Sequence, residues 1–536
     1  MSWIVVNSLF GAGARYLIIA HDDFVDAIQP LVEWKQKKGV SCAVVKKSEI
    51  GSTNTAIRNF IKSVCDTWEP RPEFLLLVGS AAKIPCFRRG PYQWRANTDS
   101  RYADISGDYV AELPYGRFPC KTVRQCSTMV ARTVAYERWP DLSDSTWYGR
   151  ATLVVRDSGD NDGWRYWEDV HYVADLATRA GFSNFDSLCS SRRDDSADVM
   201  CSVAEGTSFV LYRGHGVDTW FAPFSIRSLL AGLSNSPRWP IICSFTCQTI
   251  SLDSLNDSMT GNTWVRLGTP GQPHGAVAVV GNTHSGINVA HLRSAVTRGF
   301  FRRLFSDSIP HLGAAVLAGK FQQYSEYGDS LDYYGFNLFG DPELNVWTGT
   351  PMPIDLEANP MLRVGTDTLR LVVRRSGAPV RNALVCIRHV PDSTRRDSVY
   401  SWAYTDSSGS VEMPVVTTEC ESLELTITGC NCLPYEGYVW ADTLQSGVAR
   451  SWISPRSSLT LDVVPGLAQG RVVISCSQAA HVKVVDRAGR TMRVFELMKP
   501  AEEVILNARV LPAGVYFVRA QASSGATVAR TLTVTK

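Results

Sequence analysis

Short, unbroken runs of branched apolar residues recur through the first two-thirds of this chain, and few architectures can hold them. They fall at 16–20, 41–46, 73–79, 151–155, 207–212, 240–245 and 275–280. A strand with one wet face would alternate polar and apolar residues; these runs do not, so both of their faces must be covered. Amphipathic stretches such as Asp23–Lys38 and Thr55–Trp68 lie between them and can provide the covering helices. The pattern predicts an α/β/α sandwich with a mostly parallel sheet over residues 1–350, with a leading subdomain at 14–140 and a second at 141–350. Thr348-Gly-Thr-Pro-Met-Pro353 then reads as a linker. Beyond it the apolar period falls to two, as in Thr368–Arg374, Ala383–Arg388 and Leu423–Thr428. Two small all-β domains are expected there, at 351–460 and 461–536.

Two of the apolar runs end in residues that can do chemistry. Thr207-Ser-Phe-Val-Leu-Tyr-Arg-Gly-His215-Gly216 delivers an imidazole, and Pro240-Ile-Ile-Cys-Ser-Phe-Thr-Cys247 delivers a thiol. The spacing suits one strand–crossover–strand unit, with Phe224–Leu233 expected as its helix. A right-handed crossover places both strands in one parallel sheet, so His215 and Cys247 emerge at the same carboxyl edge. Alone, His215 could cap a strand and Cys247 could be a packed thiol. Together they suit cysteine–histidine proteolysis, in which a thiol attacks a carbonyl and an imidazole manages protons. Gly214 and Gly216 allow a tight turn and a bare N–H near a developing oxyanion. Cys243 lies inside its strand and is the weaker nucleophile.

Eight motifs, taken in order, resemble the gingipain-like cysteine peptidases, relatives of the caspases. They include Tyr16-Leu-Ile-Ile-Ala20, Phe74-Leu-Leu-Leu-Val-Gly79, Leu113-Pro-Tyr-Gly-Arg-Phe-Pro119, the histidine and cysteine sites, Gly275-Ala-Val-Ala-Val-Val-Gly281 and Asn337-Leu-Phe-Gly-Asp-Pro342. The resemblance spans roughly 14–348 and implies a caspase-like fold followed by immunoglobulin-like modules. It implies His215 as general base and acid, Cys247 as nucleophile, and the N–H groups of Gly216 and Cys247 as the oxyanion hole. It also implies a pocket acid in the stretch that follows Asp157-Ser-Gly-Asp-Asn-Asp162. The family position falls at Tyr166, with Asp162 and Asp169 beside it as substrate-binding candidates, and Asn288 stands near the place of the tryptophan that closes the pocket. Asp104-Ile-Ser-Gly-Asp108, with Glu112, is a candidate site for a structural calcium, through Asp104 and Asp108. No cofactor is needed for the chemistry. The alternatives are a sortase-like transpeptidase of a type IX secretion system, and a surface-binding protein with a vestigial peptidase domain.

The segment from about 466 onward is similar to the C-terminal sorting domain of type IX secretion cargo. That implies a secreted or cell-surface protein whose partners are a protein or peptide substrate and the type IX machinery. The opening Met1–Phe10 has no basic region and too short an apolar run for a signal peptide, which conflicts with export. A net charge of +2 implies no attraction to nucleic acid or acidic lipid. No run is long enough for a membrane-spanning helix. The 14 cysteines lack zinc spacing. Cys420, Cys430 and Cys432 could form one local disulfide.

Overall fold

The computed structural model describes residues 13–91, 95–253, 258–306, 311–328, 330–358, 361–389, 399–419, 421–443, 461–464, 467–468, 471–476, 480–486, 491–497, 503–522 and 527–534. Ten strands build the principal sheet. In chain order they are β1 (Tyr16–Ala20), β2 (Cys42–Lys46), β3 (Phe74–Val78), β4 (Tyr115–Phe118), β5 (Arg150–Val155), β6 (Asn184–Cys189), β7 (Phe209–Arg213), β8 (Ile241–Ser244), β9 (Ala278–Asn282) and β10 (Phe336–Phe339). Across the sheet they run β2-β1-β3-β4-β10-β9-β8-β7-β5-β6. Neighbours are parallel except at β9–β10, where the pairing is antiparallel. The sheet is therefore two parallel blocks running in opposite directions. β1 to β4 and β10, the last encoded at Phe336–Phe339, make up one block and β5 to β9 the other.

The unbroken apolar runs are explained by burial on both sides. β1, β3, β7, β8 and β9 are buried along their whole length. Successive side chains go to opposite faces: Val210 and Ile242 join one apolar cluster, Leu211 and Cys243 the other. Each fully buried aliphatic side chain contributes about 1.5–3 kcal/mol. Helices Gln29–Lys37, Val123–Arg138, Gly163–Arg179, Ala290–Phe305 and Leu312–Tyr327 are among those that cover the sheet.

The crossover expected as a helix over Phe224–Leu233 is not one. Between β7 and β8 lie a two-residue hairpin, Gly216–Val217 with Thr219–Trp220, and a single 3-10 turn at Leu230–Gly232. The buried anchors are Phe224, Ile226, Leu230 and Leu233, whereas Leu229 is exposed. Ile226, Leu230 and Leu233 keep a helical i, i+4, i+7 spacing, but Phe224 would fall on the opposite face and is buried as well, and the segment folds as a packed loop.

Residues 355–442 form a β-sandwich of a four-stranded and a five-stranded sheet around Leu371, Val385, Met413 and Leu425. It belongs to the same compact unit as the principal sheet, Met1–Thr443. Arg15 stacks 3.9 Å from the Trp402 ring and donates to Tyr404 at 2.6 Å, and Lys37 pairs with Glu424 and Glu436. The second unit, Leu444–Lys536, contains a three-stranded and a five-stranded sheet closed over Val472, Val482, Val518 and Leu532. Residues 444–460, where the sequence boundary at 460 falls, lie outside the described residues. Cys430 and Cys432 are free thiols, and Cys420 also lies outside the described residues.

Candidate active site

β7 and β8 are adjacent and parallel, with Cys243 opposite Leu211 and Ser244 opposite Tyr212. His215 and Cys247 therefore leave the sheet at the same carboxyl edge, as the strand ends imply. The turn after β7 is held firmly. Tyr212 donates from its hydroxyl to the His215 carbonyl at 2.6 Å and stacks on Trp220, and Thr246 Oγ1 donates to the Gly214 carbonyl at 2.6 Å. A Cβ on Gly214 would lie 2.7 Å from Arg156 Cβ and 2.8 Å from Tyr212 Oη, so only glycine lets the turn pass. Gly216 is pressed against the Thr219 carbonyl in the same way. The N–H groups of Gly216 and Cys247 thus belong to the two turns that carry the candidate pair.

His215 is half-exposed and stands beside the Cys247 thiol. Its Nε2 lies 2.9 Å from Oδ2 of Asp160, whose side chain is only 3% exposed. Contact with Cys247 raises the imidazole's pKa; burial opposes this and the Asp160 charge adds to it. Burial on its own would push the Cys247 thiol up, but hydrogen bonds and charge from His215 and Arg293 outweigh it, and the thiol is lowered to about 6. Arg293 Nη1 lies 3.0 Å from the sulfur. Its remaining nitrogens face Asp332, which also accepts from Asn282 at 3.0 Å and lies 3.4 Å from His284 Nδ1. Cys243 has the opposite character. It is wholly buried, and burial pushes its thiol up.

The fold separates the two carboxylates named beside the pocket. Asp169 is buried and accepts from Arg213 Nε at 2.7 Å and Ser294 Oγ at 2.7 Å. Arg213 in turn donates to the carbonyls of Ala290 and Phe245, the latter two residues before Cys247. Asp169 is thus a scaffold partner and not an open pocket acid. Asp162 precedes the helix Gly163–Arg179 without a side-chain capping bond, is partly exposed and lies 3.8 Å from Arg165. Tyr166 is buried, with its hydroxyl toward Asp160 and the Arg213 guanidinium 5.1 Å from its ring.

Asp160, Arg293 and Asp332 were not singled out by sequence reasoning. Asp160 sits in the acidic loop already noted after β5, but spacing alone could not choose it over Asp157 or Asp162. Asp157 binds Trp167, Ser190 and Ser191 instead. Arg293 and Asp332 carry no local signal.

Asp104, Asp108 and Glu112 each bring an oxygen within 4.8 Å of the others, a donor type suited to a hard cation. Asp104 already pairs with Arg101 and Arg58, and Glu112 accepts from the N–H groups of Ile105 and Ser106. The turn is internally satisfied and fits a calcium ion poorly. Among the described residues no helix is long and apolar enough to cross a membrane.

The model of peptidase family C25 matches residues 11–347, most of the chain. The chain belongs to peptidase family C25. Among C25 relatives, it is 24% identical over 493 residues to gingipain R2 of Porphyromonas gingivalis, covering 89% of this chain and 63% of that protein. It is 22% identical to Lys-gingipain of the same organism over 94% of this chain and 29% of that protein. The chain thus spans less than two-thirds of these curated relatives. The crystal structure of the Arg-specific cysteine proteinase gingipain R superposes with a TM-score of 0.68 at 21% identity, covering 80% of this chain and 98% of that one. The α/β domain therefore has the caspase-like fold of that C25 structure.

Proposed function

We propose that the protein is a cysteine endopeptidase working through Cys247 and His215. The observation that carries this reading is the placement of Cys247 and His215 at one sheet edge, with Asp160 2.9 Å behind the imidazole; the lowered thiol and the raised imidazole agree with it. A lowered thiol beside a raised imidazole favours the thiolate–imidazolium form, the state ready for attack. The Cys247 sulfur adds to the scissile carbonyl, and the oxyanion is held by the N–H groups of Gly216 and Cys247. The C–N bond breaks as the imidazolium protonates the leaving amine, which leaves a thioester. Water then gives a proton to the neutral imidazole and attacks the thioester; the C–S bond breaks and the thiolate returns. Asp160 holds the ring and favours its cationic form.

The Arg specificity in the name of gingipain R does not transfer in this reading. Asp169 is bound to Arg213, Tyr166 stands at the family's acid position, and the cation of Arg293 lies against the nucleophile. Cleavage after uncharged or acidic residues is expected to dominate. The similarity of the C-terminal segment to sorting domains supports work outside the cell.

Hydrolysis of a denatured protein by Cys247→Ala and Cys243→Ala tests the core of the proposal. Cys247→Ala loses activity while folded, and Cys243→Ala keeps it; the reverse result removes the assignment. A peptide library profiles the pocket. Cleavage confined to Arg or Lys sites, lost in Asp162→Asn, would reinstate a basic-residue pocket.

A further inference from the structure

We propose that Arg293 is the permanent counter-charge of Cys247, keeping the sulfur ionised whether or not His215 is protonated; this deepens the peptidase reading and rests on it. The contact is direct: Arg293 Nη1 lies 3.0 Å from Sγ, and the guanidinium is almost wholly buried. A buried cation at that distance acts through little water and is a strong partner for a thiolate. Arginine does not lose its proton near neutral pH, so its charge does not titrate away as an imidazole's does.

The surroundings are arranged around that charge. Arg293 enters on the first turn of the helix Ala290–Phe305. Asp332, fully buried on a short helix before β10, faces it at 3.2 Å and anchors the guanidinium. Asn282 and His284, at the end of β9, hold Asp332 from the other side. Of the remaining charges, Asp160 lies 2.9 Å from His215, and Arg156 acts on the imidazole with the opposite sign. With the thiolate present, Arg293 lies between two anions, Asp332 and Cys247, and is shared by both.

Two consequences follow for the reaction. His215 need not create the thiolate and is left to move protons to the leaving amine and from water. In deacylation the sulfur departs as an anion, and Arg293 meets that charge as the C–S bond breaks. Its stabilisation therefore acts on both halves of the cycle. The cost is a less basic and intrinsically weaker nucleophile.

The test is the pH dependence of Cys247 alkylation by iodoacetamide, with the labelled position mapped by mass spectrometry on the full chain. Wild-type protein should titrate near 6. His215→Ala, at a half-exposed position, leaves Arg293 in place and should still titrate well below the ordinary thiol value of about 8.5. Arg293→Met should move the midpoint up by about 1–3 pH units, as expected when a close opposite charge is lost. Arg293→Lys should restore most of the depression. A His215→Ala midpoint at the ordinary thiol value overturns the proposal, and this holds even if Arg293→Met fails to fold. An unchanged midpoint in folded Arg293→Met overturns it as well. Peptide hydrolysis by Cys247→Ala reports separately on the peptidase reading: activity there sinks that reading, whereas the alkylation midpoints judge the charge.

Discussion

Two groups of ionisable side chains hang from the same sheet and behave in opposite ways. In one, Lys35 and Lys38 are closed in with Glu137, Asp341 and Glu343, all at most 2% exposed. Trp34 and the Asn345 N–H complete Glu137, and the Tyr16 hydroxyl donates to Asp341. In the other, Asp160, His215, Cys247, Arg293 and Asp332 form a chain whose imidazole is 46% exposed. Both groups bury charge beside charge. The first leaves none of these five open to solvent, with only His311 at its edge partly exposed, and it holds elements together. The second is buried at Asp160 and at Arg293–Asp332 but open in the middle, and the open member is the one able to exchange a proton with a ligand. Access, more than charge density, separates an architectural cluster from a reactive one.

The largest expected effect tests that distinction directly. His215→Ala should lower turnover by about 10²–10⁴-fold with the melting temperature nearly unchanged. Equal losses of stability and activity would erase the contrast. Glu137→Gln should do the reverse. Leaving two buried lysines short of a partner costs about 3–5 kcal/mol of stability, read by denaturant unfolding, with activity per folded molecule retained.

A smaller change should sharpen the comparison within the site. Asp160→Asn removes the anion beside His215, and the basic limb of the pH–rate profile should move down by about 1–3 pH units. A profile that does not move would make Asp160 a packing residue. The smallest effect concerns acid. Burial alone would raise Glu343, but Lys35 and Lys38 hold it at about 2. Its stabilisation is complete above the ordinary glutamate value of ~4.3 and is lost as pH falls through about 2. Asp341 beside it is pushed the other way by burial, so the net slope is modest. Glu343→Gln should flatten the dependence of unfolding free energy on pH below about 4.3.

Seven strands of the principal sheet were legible as apolar runs without alternation, whereas β4, β6 and β10 were not among those runs; the partly exposed edge strand β6 carries no such mark. His215 and Cys247 were legible because each ends such a run. The crossover between them was misread because Ile226, Leu230 and Leu233 carry a helical spacing that the packed loop also satisfies, with Phe224 buried off that face. Arg293 could not be found this way. It lies in a helix with other arginines nearby, and only the placement of that helix against the turn after β8 selects it. Asp332 is similar, an acid in a short helix whose role depends on β10 arriving beside β9. The antiparallel seam had no local signature either, because strand direction is a property of connections and not of composition. The docking of the first β-sandwich through Trp402 and Tyr404 on Arg15 was equally hidden, since an aromatic pair on a strand face looks the same whether it meets solvent or a cation.

The seam also sets an order of assembly. β4 is the last strand that the leading block can form from its own early sequence, and the neighbour that covers its edge, β10, is encoded far downstream. As the chain leaves the ribosome, that edge stays unpaired until the segment bearing His215, Cys247 and Arg293 has been made. Asp332 arrives only four residues ahead of the closing strand. The step that seals the sheet therefore also delivers the anchor of Arg293, so the nucleophile's surroundings are completed only when the rest of the domain has closed.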